Sequence, residues 1–289
     1  MLKIVEKKKI WFTISILIIV IGFGFMFTKG MNFGIDFRGG TQVVINMGTD
    51  FNKTDVDKIV DEYSKDAVTN QVNGTELQIK AKELNSSQVN DIFKALKEKY
   101  DLKDDALVSQ NEIGASVGRD LTTNAIVALA IAVIGMLIYV IIRFEFSFGI
   151  AAIIALLHDV LITISVYAVF GITINTPFIA AILTIVGYSI NDTIVIFDRI
   201  RENRKKLRGK SVEEIADMSI TQTMSRSINT TLTTLITIVC VYIFVPTVRD
   251  FAFPLIVGIA SGACSSIFIA SPIWCILANR QKNKKAINK

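Results

Sequence analysis

Five stretches of this chain contain no charged residue: Ile10 to Thr28, Leu121 to Ile142, Val160 to Asn191, Ser227 to Val248 and Phe251 to Asn279. A hydrocarbon core about 30 Å thick takes roughly 20 helical residues to cross, and several of these stretches are long enough. In lipid every backbone polar group must be satisfied within the structure, so only helices and closed barrels cross. Barrel strands would alternate polar and apolar residues, and that alternation is missing. Composition agrees, with 51% of the 289 residues hydrophobic and 20% charged. This excludes a disordered chain, a disulfide scaffold and an ordinary soluble domain. The expected fold is a polytopic α-helical membrane protein.

Apolar sequence from Phe148 to Phe197 is too long for one crossing and breaks near Gly171 to Pro177, so it reads as two helices joined by a tight hairpin. Six spans are expected, at 10–28, 121–142, 149–170, 177–197, 229–248 and 252–277. Lys3, Lys7, Lys8 and Lys9 precede the first, as they would in a secretory signal. The apolar run exceeds an h-region of about 7–15 residues and lacks a small-residue cleavage site, so it reads as an uncleaved anchor.

Charge then orients the chain. Lys and Arg number 4 in the tail 1–9, 1 in the turn 143–148, 8 in the loop 198–228 and 5 in the tail 279–289, all on one side of the six-span arrangement. The other side has Arg249 and the segment 29–120, where 12 basic residues face 16 acidic ones. By the positive-inside rule both termini and the 198–228 loop are cytoplasmic. The net charge of +5 thus reads as topology, and no nucleic-acid partner is expected. Cys240, Cys264 and Cys275 lie inside spans and suggest neither a disulfide framework nor a metal set.

Residues 29–120 form the only segment with soluble-domain composition. A strand at 40–47 is followed by a helix capped by Asn52 or Thr54 and running to Asp66, then by strands at 67–72 and 75–80 joined at Asn73-Gly74, a type I′ hairpin dipeptide. A second helix opens near Ser86 or Ser87, with Val89, Ile92, Phe93 and Leu96 at helical spacing, and a last strand is expected at 105–110. The order β-α-β-β-α-β is the α+β ferredoxin-like arrangement. The segment has no His, no Cys and no Gly-rich phosphate loop. Binding or gating is expected of it, with no catalytic residue, cofactor or metal, and the chain is not read as an enzyme.

Ionisable groups at the centre of a membrane helix cost at least about 2.5 to 3.5 kcal/mol on insertion scales, so each needs a reason. His158 and Asp159 fall near the middle of the third span. Asp192 falls in the cytoplasmic half of the fourth, close to Tyr188, Ser189 and Asn191, and Thr184, Tyr188 and Asp192 follow one another at i, i+4. Burial favours a neutral carboxyl and a nearby cation favours the charged form, so a buried Asp beside a movable Arg can load and release a proton. The candidate cation is Arg226, at the cytoplasmic entry to the fifth span. That span continues with Thr230, Thr233, Thr234 and Thr237, whose hydroxyls either return to backbone carbonyls or line a hydrated path. Asp250, in the outer turn after Arg249, reads as an interfacial ion pair or as a relay group. All of these groups also suit a plainer role, tying helices together by hydrogen bonds. In the sixth span Gly258, Gly262, Ser266 and Ala270 recur every four residues as a packing face. Ser211 and Glu214 form a capping box, and Arg204, Lys205 and Lys206 read as a solvated or lipid-facing basic stretch.

Five blocks in matching order carry a family resemblance. They are Phe33-Gly-Ile-Asp-Phe-Arg-Gly-Gly40, Ile113-Gly-Ala-Ser-Val-Gly118, Leu157-His-Asp-Val160, Val186-Gly-Tyr-Ser-Ile-Asn-Asp-Thr193 leading to Asp198-Arg-Ile-Arg-Glu-Asn203, and Ser225-Arg226-Ser227 with its Thr-rich sequel. Over nearly its whole length the chain resembles the SecD/SecF family of bacterial protein-export membrane proteins, on the SecF side. It departs from the family's Val-Gly-Pro pattern in the second block, where Ala115 stands in place of the proline, and lacks a SecD-like half. The resemblance implies an RND-superfamily half of six spans that pairs with SecD, associates with the SecY channel complex and handles unfolded secretory proteins. It also implies use of a transmembrane cation gradient, usually of protons, in late, ATP-independent export. The family's ion-passage positions map onto Asp192 and Arg226, with Asp250 a third. Two rivals stand beside this: an RND-like small-molecule or lipid exporter half, and a translocase scaffold without ion coupling.

Overall fold

The computed structural model describes residues 3–72, 74–207 and 209–287, so that Asn73 of the expected hairpin turn lies outside the described residues. In chain order the elements are α1 (Lys8–Lys29), α2 (Ile35–Arg38), β1 (Gly40–Asn46), α3 (Lys53–Tyr63), β2 (Val68–Val72), β3 (Glu76–Ala81), α4 (Ser86–Tyr100) and β4 (Leu107–Ile113). Then follow α5 (Ala115–Arg143), α6 (Phe146–Phe170), α7 (Thr176–Lys206), α8 (Val212–Phe244), α9 (Arg249–Ser265) and α10 (Ser271–Ile287). Two compact units emerge, Phe33–Ile126 and the pair Met1–Asn32 with Val127–Lys289.

The Phe33–Ile126 unit is built on an antiparallel sheet in the order β2-β3-β1-β4. With α3 and α4 this is the ferredoxin-like β-α-β-β-α-β arrangement. Alternation along the strands sends Val43, Ile45, Leu77 and Ile79 to one face, where Val56, Val60, Val89, Ile92 and Leu96 of the two helices close the core. The α4 helix opens one residue earlier than expected. Asn85 Oδ1 accepts from the Gln88 N–H at 2.8 Å and Gln88 Oε1 accepts from the Asn85 N–H at 3.1 Å, a reciprocal cap that neither Ser86 nor Ser87 can complete. The α3 helix stops at Tyr63, short of Asp66, whose carboxylate accepts instead from the Ser64 hydroxyl and the Lys82 N–H. A 3-10 turn at Asp104–Ala106 delays β4 by two residues.

The Gly39-Gly40 pair has a backbone reason. Both residues have positive φ, and a Cβ on Gly40 would lie 2.5 Å from the Ala81 carbonyl oxygen.

Among the described residues six helices are long and apolar enough to cross a membrane: α1, α5, α6, α7, α8 and the continuous run Arg249–Lys282 formed by α9 and α10. The α6–α7 hairpin turns where expected, with Gly171 in the left-handed region and Asn175 capping α7 ahead of Pro177. The stretch 198–228 is mostly helix rather than loop. Glu202 pairs with Arg199 and Lys206 along α7, and the Ser211–Glu214 capping box restarts the chain in α8. Close approach depends on small residues. A Cβ on Gly22 of α1 would lie 2.2 Å from Ser165 Cβ on α6, and one on Gly258 of α9 would lie 2.2 Å from Ile185 Cδ1 on α7. At the start of the chain, the Ile4 and Val5 N–H groups both donate to Asp217 Oδ1 at 3.0 Å, tying the N-terminal segment to α8.

Candidate functional site

The expected ionisable groups separate into two buried clusters on different flanks of α7. On the α8 flank, Asp192 is 7% exposed and its Oδ1 accepts from the Ser227 hydroxyl at 2.8 Å. Its second oxygen is buried with no hydrogen-bond partner. One turn earlier, the Tyr188 hydroxyl donates to the Thr230 carbonyl and lies 3.0 Å from the Thr234 hydroxyl, so the i, i+4 pair of α7 meets α8 at both positions. Arg226 immediately precedes Ser227. Its guanidinium is exposed and acts on Asp192 through its charge, but among the described residues no ion pair within 4.0 Å joins them.

Arg226 lines a cleft of about 690 Å³ together with Arg143, Asp198, Arg199, Arg201 and Gln222. The block Asp198 to Asn203 builds its wall. Asp198 receives Arg201 at 3.0 Å and Arg143 at 3.8 Å. Gln222 of α8 accepts from Arg199 at 2.6 Å and from Asn203 at 2.8 Å, holding the two helix extensions side by side.

The α8 threonines satisfy their hydroxyls locally. Thr230, Thr233, Thr234 and Thr237 each donate to the carbonyl four residues back, at 2.9 to 3.0 Å. Thr230, Thr233 and Thr237 are exposed, as are Asn229 and Asn191. A polar stripe therefore runs along α8 beyond the turn occupied by Asp192.

On the other flank, Asp159 of α6 is fully buried. Its Oδ2 accepts from Ser189 of α7 and Ser265 of α9 at 2.7 Å each, and its Oδ1 accepts from Ser261 of α9 at 2.8 Å. His158 Nδ1 lies 3.1 Å from the same Oδ1. Ser189 thus belongs to Asp159 and not to the α8 side. Its position follows from packing, because a Cβ on Gly262 would come within 2.9 Å of Ser189 Cβ, so only glycine lets α9 come this close.

Asp250 stands apart at the first turn of α9, exposed, and accepts from the Asn175 amide at 2.6 Å. The neighbouring Arg249 donates to the Tyr242 and Ile243 carbonyls of α8. Asp250 is therefore a fastening between α9 and the α6–α7 hairpin.

Three residues of these clusters escaped the sequence reading as site groups: Ser227, Ser261 and Ser265. The signal for the last two was present, a serine pair four residues apart, each one position before a small residue of the packing face. What the sequence lacked was the direction in which the pair faces.

Two family models match the chain: Protein export membrane protein SecD/SecF, C-terminal, over residues 92–280, and the SecD/SecF GG Motif over residues 24–51. The chain is 40% identical to the protein translocase subunit SecF of Sebaldella termitidis, covering 98% of this chain and 94% of that one. It is 37% identical to the SecF subunit of Petrotoga mobilis, with 98% of each covered. It also superposes on the crystal structure of SecDF, a translocon-associated membrane protein from Thermus thermophilus, with a TM-score of 0.88 and 34% identity, over 96% of this chain and 39% of that longer one. With this much of its length matched and its membrane helices and ferredoxin-like domain in the corresponding order, the chain belongs to the SecD/SecF family of protein export membrane proteins, among the SecF translocase subunits.

Proposed function

We propose that this chain works beside a SecD subunit in the cell membrane, using the transmembrane proton gradient to assist export of unfolded secretory proteins through the SecY channel. Both termini and the 198–228 segment are cytoplasmic in this reading, and the ferredoxin-like domain lies outside, where it meets the emerging substrate. Lys and Arg near the cytoplasmic ends face anionic lipid headgroups.

The observation that carries the reading is the half-satisfied carboxyl of Asp192 next to Arg226. An ionised carboxylate with one buried, unmatched oxygen is costly. A proton on that oxygen, or movement of Arg226 toward it, relieves the cost. The two alternatives give the α7–α8 contact two arrangements, and a SecD helix against the polar stripe of α8 would feel the difference. One charge falling through 100 mV supplies about 2.3 kcal/mol, enough to bias such a two-state contact and far short of unfolding a substrate domain in one step. Repeated small steps therefore suit the task.

Asp192→Asn and Arg226→Ala, each co-expressed with SecD and checked for insertion, should abolish the part of preprotein export into inverted membrane vesicles that depends on an imposed proton gradient. ATP-driven entry should persist. Export matching that of the unaltered protein under the same gradient would defeat the coupling reading and leave a scaffold.

A further inference from the structure

Asp159 poses a different problem from Asp192. Both its oxygens are engaged by three serine hydroxyls and by the His158 ring, four contacts in all. A carboxylate has about four acceptor positions and, when ionised, nothing to donate. The cage is therefore complete for the anion, with no open position for a metal ion. A buried anion needs a counter-charge. Among the described residues no Lys or Arg pairs with Asp159, and the one basic group in contact is His158.

The titratable groups facing Asp159 are few. Its own helix presents His158. The α9 helix presents Cys264, close enough for the carboxylate's charge to act on it, beside Ser261 and Ser265. The α7 helix presents only Ser189, and α1, which packs on α6, carries its charges at its ends, on Lys8, Lys9 and Lys29. His158 Nε2 is buried with no hydrogen-bond partner, in a side chain that is 12% exposed.

We infer that His158 is a proton-binding site, its Nδ1–H held on the serine-caged Asp159 carboxylate and its Nε2 taking up one proton to form an imidazolium–carboxylate pair. No bond other than N–H forms, and the pair becomes neutral as a unit. This station lies on the α6–α9 flank of α7, separate from Asp192, and its occupancy is independent of whether Asp192 couples export.

His158 is the chain's only histidine, so the proton can be read directly. The full-length chain, with ring-¹⁵N-labelled histidine and a purification tag free of histidine, would be placed in lipid nanodiscs and followed by NMR from about pH 8 to about pH 5. The expected neutral form carries its proton on Nδ1, and acidification adds one proton at Nε2. Asp159→Asn should weaken that uptake at least about tenfold. Ser265→Ala and Ser261→Ala, which withdraw one donor from the carboxylate, should strengthen it, a reversal of sign that general loosening of the bundle would not produce. Exchange of Na⁺ for K⁺ should leave the titration where it was. A neutral ring protonated on Nε2, a ring that stays neutral to pH 5, uptake unchanged by both kinds of variant, or displacement of the proton by Na⁺ would each overturn the assignment.

Discussion

Aspartates in this chain differ by what surrounds them rather than by where they fall in a pattern. Asp159 is wholly matched, Asp192 is half matched, and Asp66, in the ferredoxin-like unit, is exposed but engaged by the Ser64 hydroxyl at 2.7 Å and the Lys82 N–H at 2.9 Å. The Ser64 hydroxyl, followed by that N–H, holds the Asp66 carboxyl below its ordinary value. A carboxyl depressed in the folded state adds stability above its unfolded value, about pH 4, and that stability fades as pH falls through the lower folded value. Asp66→Asn should therefore lower the thermal transition of the ferredoxin-like unit in the full-length protein at pH 7. The gap between variant and parent should narrow as the solution is taken below about pH 4. Scanning calorimetry in nanodiscs reads both, and a gap that stays constant with pH would remove this carboxylate from the acid response.

At the scale of the helices, the small residues decide what can touch. Gly22 lets α1 cross α6 at Ser165, where an added Cβ would lie 2.6 Å from the Ser165 Cα, an atom that cannot rotate away. Gly22→Ala is expected to destabilise the bundle by about 1–3 kcal/mol through overpacking. Ser165→Gly in the same chain should restore only part of the loss, because it removes the contacts with Cβ and Oγ and leaves the one with Cα. Thermal melting in detergent measures both, and a Gly22→Ala chain as stable as the parent would show that the crossing is looser than it looks. The α9–α10 run was legible as one span, but not its π-turn at Ser266–Ala270. Pro272 explains it. Proline has no N–H and its ring clashes with the carbonyl four residues back, so the helix widens ahead of it, and the Ser271 hydroxyl takes the Ser266 carbonyl five residues back.

For the molecule as a whole, burial is uneven in a way that tells of missing neighbours. Of the apolar windows, 61% of the α9–α10 run is buried but only 11% of α8 and 6% of α5. Lipid alone suits α5. It suits α8 less well, because that helix presents Asn229, Thr230, Thr233 and Thr237. Its threonines can return hydroxyls to their own backbone, whereas an asparagine amide in lipid needs another helix. The SecDF chain on which this one superposes is longer, and this chain covers 39% of it. In a chain whose Cys240, Cys264 and Cys275 are replaced by alanine, Thr233→Cys should react with a membrane-permeant maleimide when expressed alone and be protected when SecD is co-expressed. Equal labelling in both cases would place SecD elsewhere.

How far the sequence reached follows from the range of the forces involved. Membrane spans, the α6–α7 turn, the order of strands and helices, the Ser211 cap and the family blocks were all legible, because hydropathy, periodicity, turn chemistry and capping act within a few residues along the chain. Asp192, Arg226, His158 and Asp159 were legible too, since an ionisable group in apolar sequence stands out wherever it points. Tertiary structure alone decided their partners: that Ser227 serves Asp192, that Ser189 crosses to Asp159 on the opposite flank, that Ser261 and Ser265 complete the cage, and that Asp250 fastens Asn175. Those choices depend on helix rotation and on how closely Gly22, Gly258 and Gly262 let backbones approach. Rotation and approach are set by packing between segments that can lie more than a hundred residues apart, and no local pattern records them.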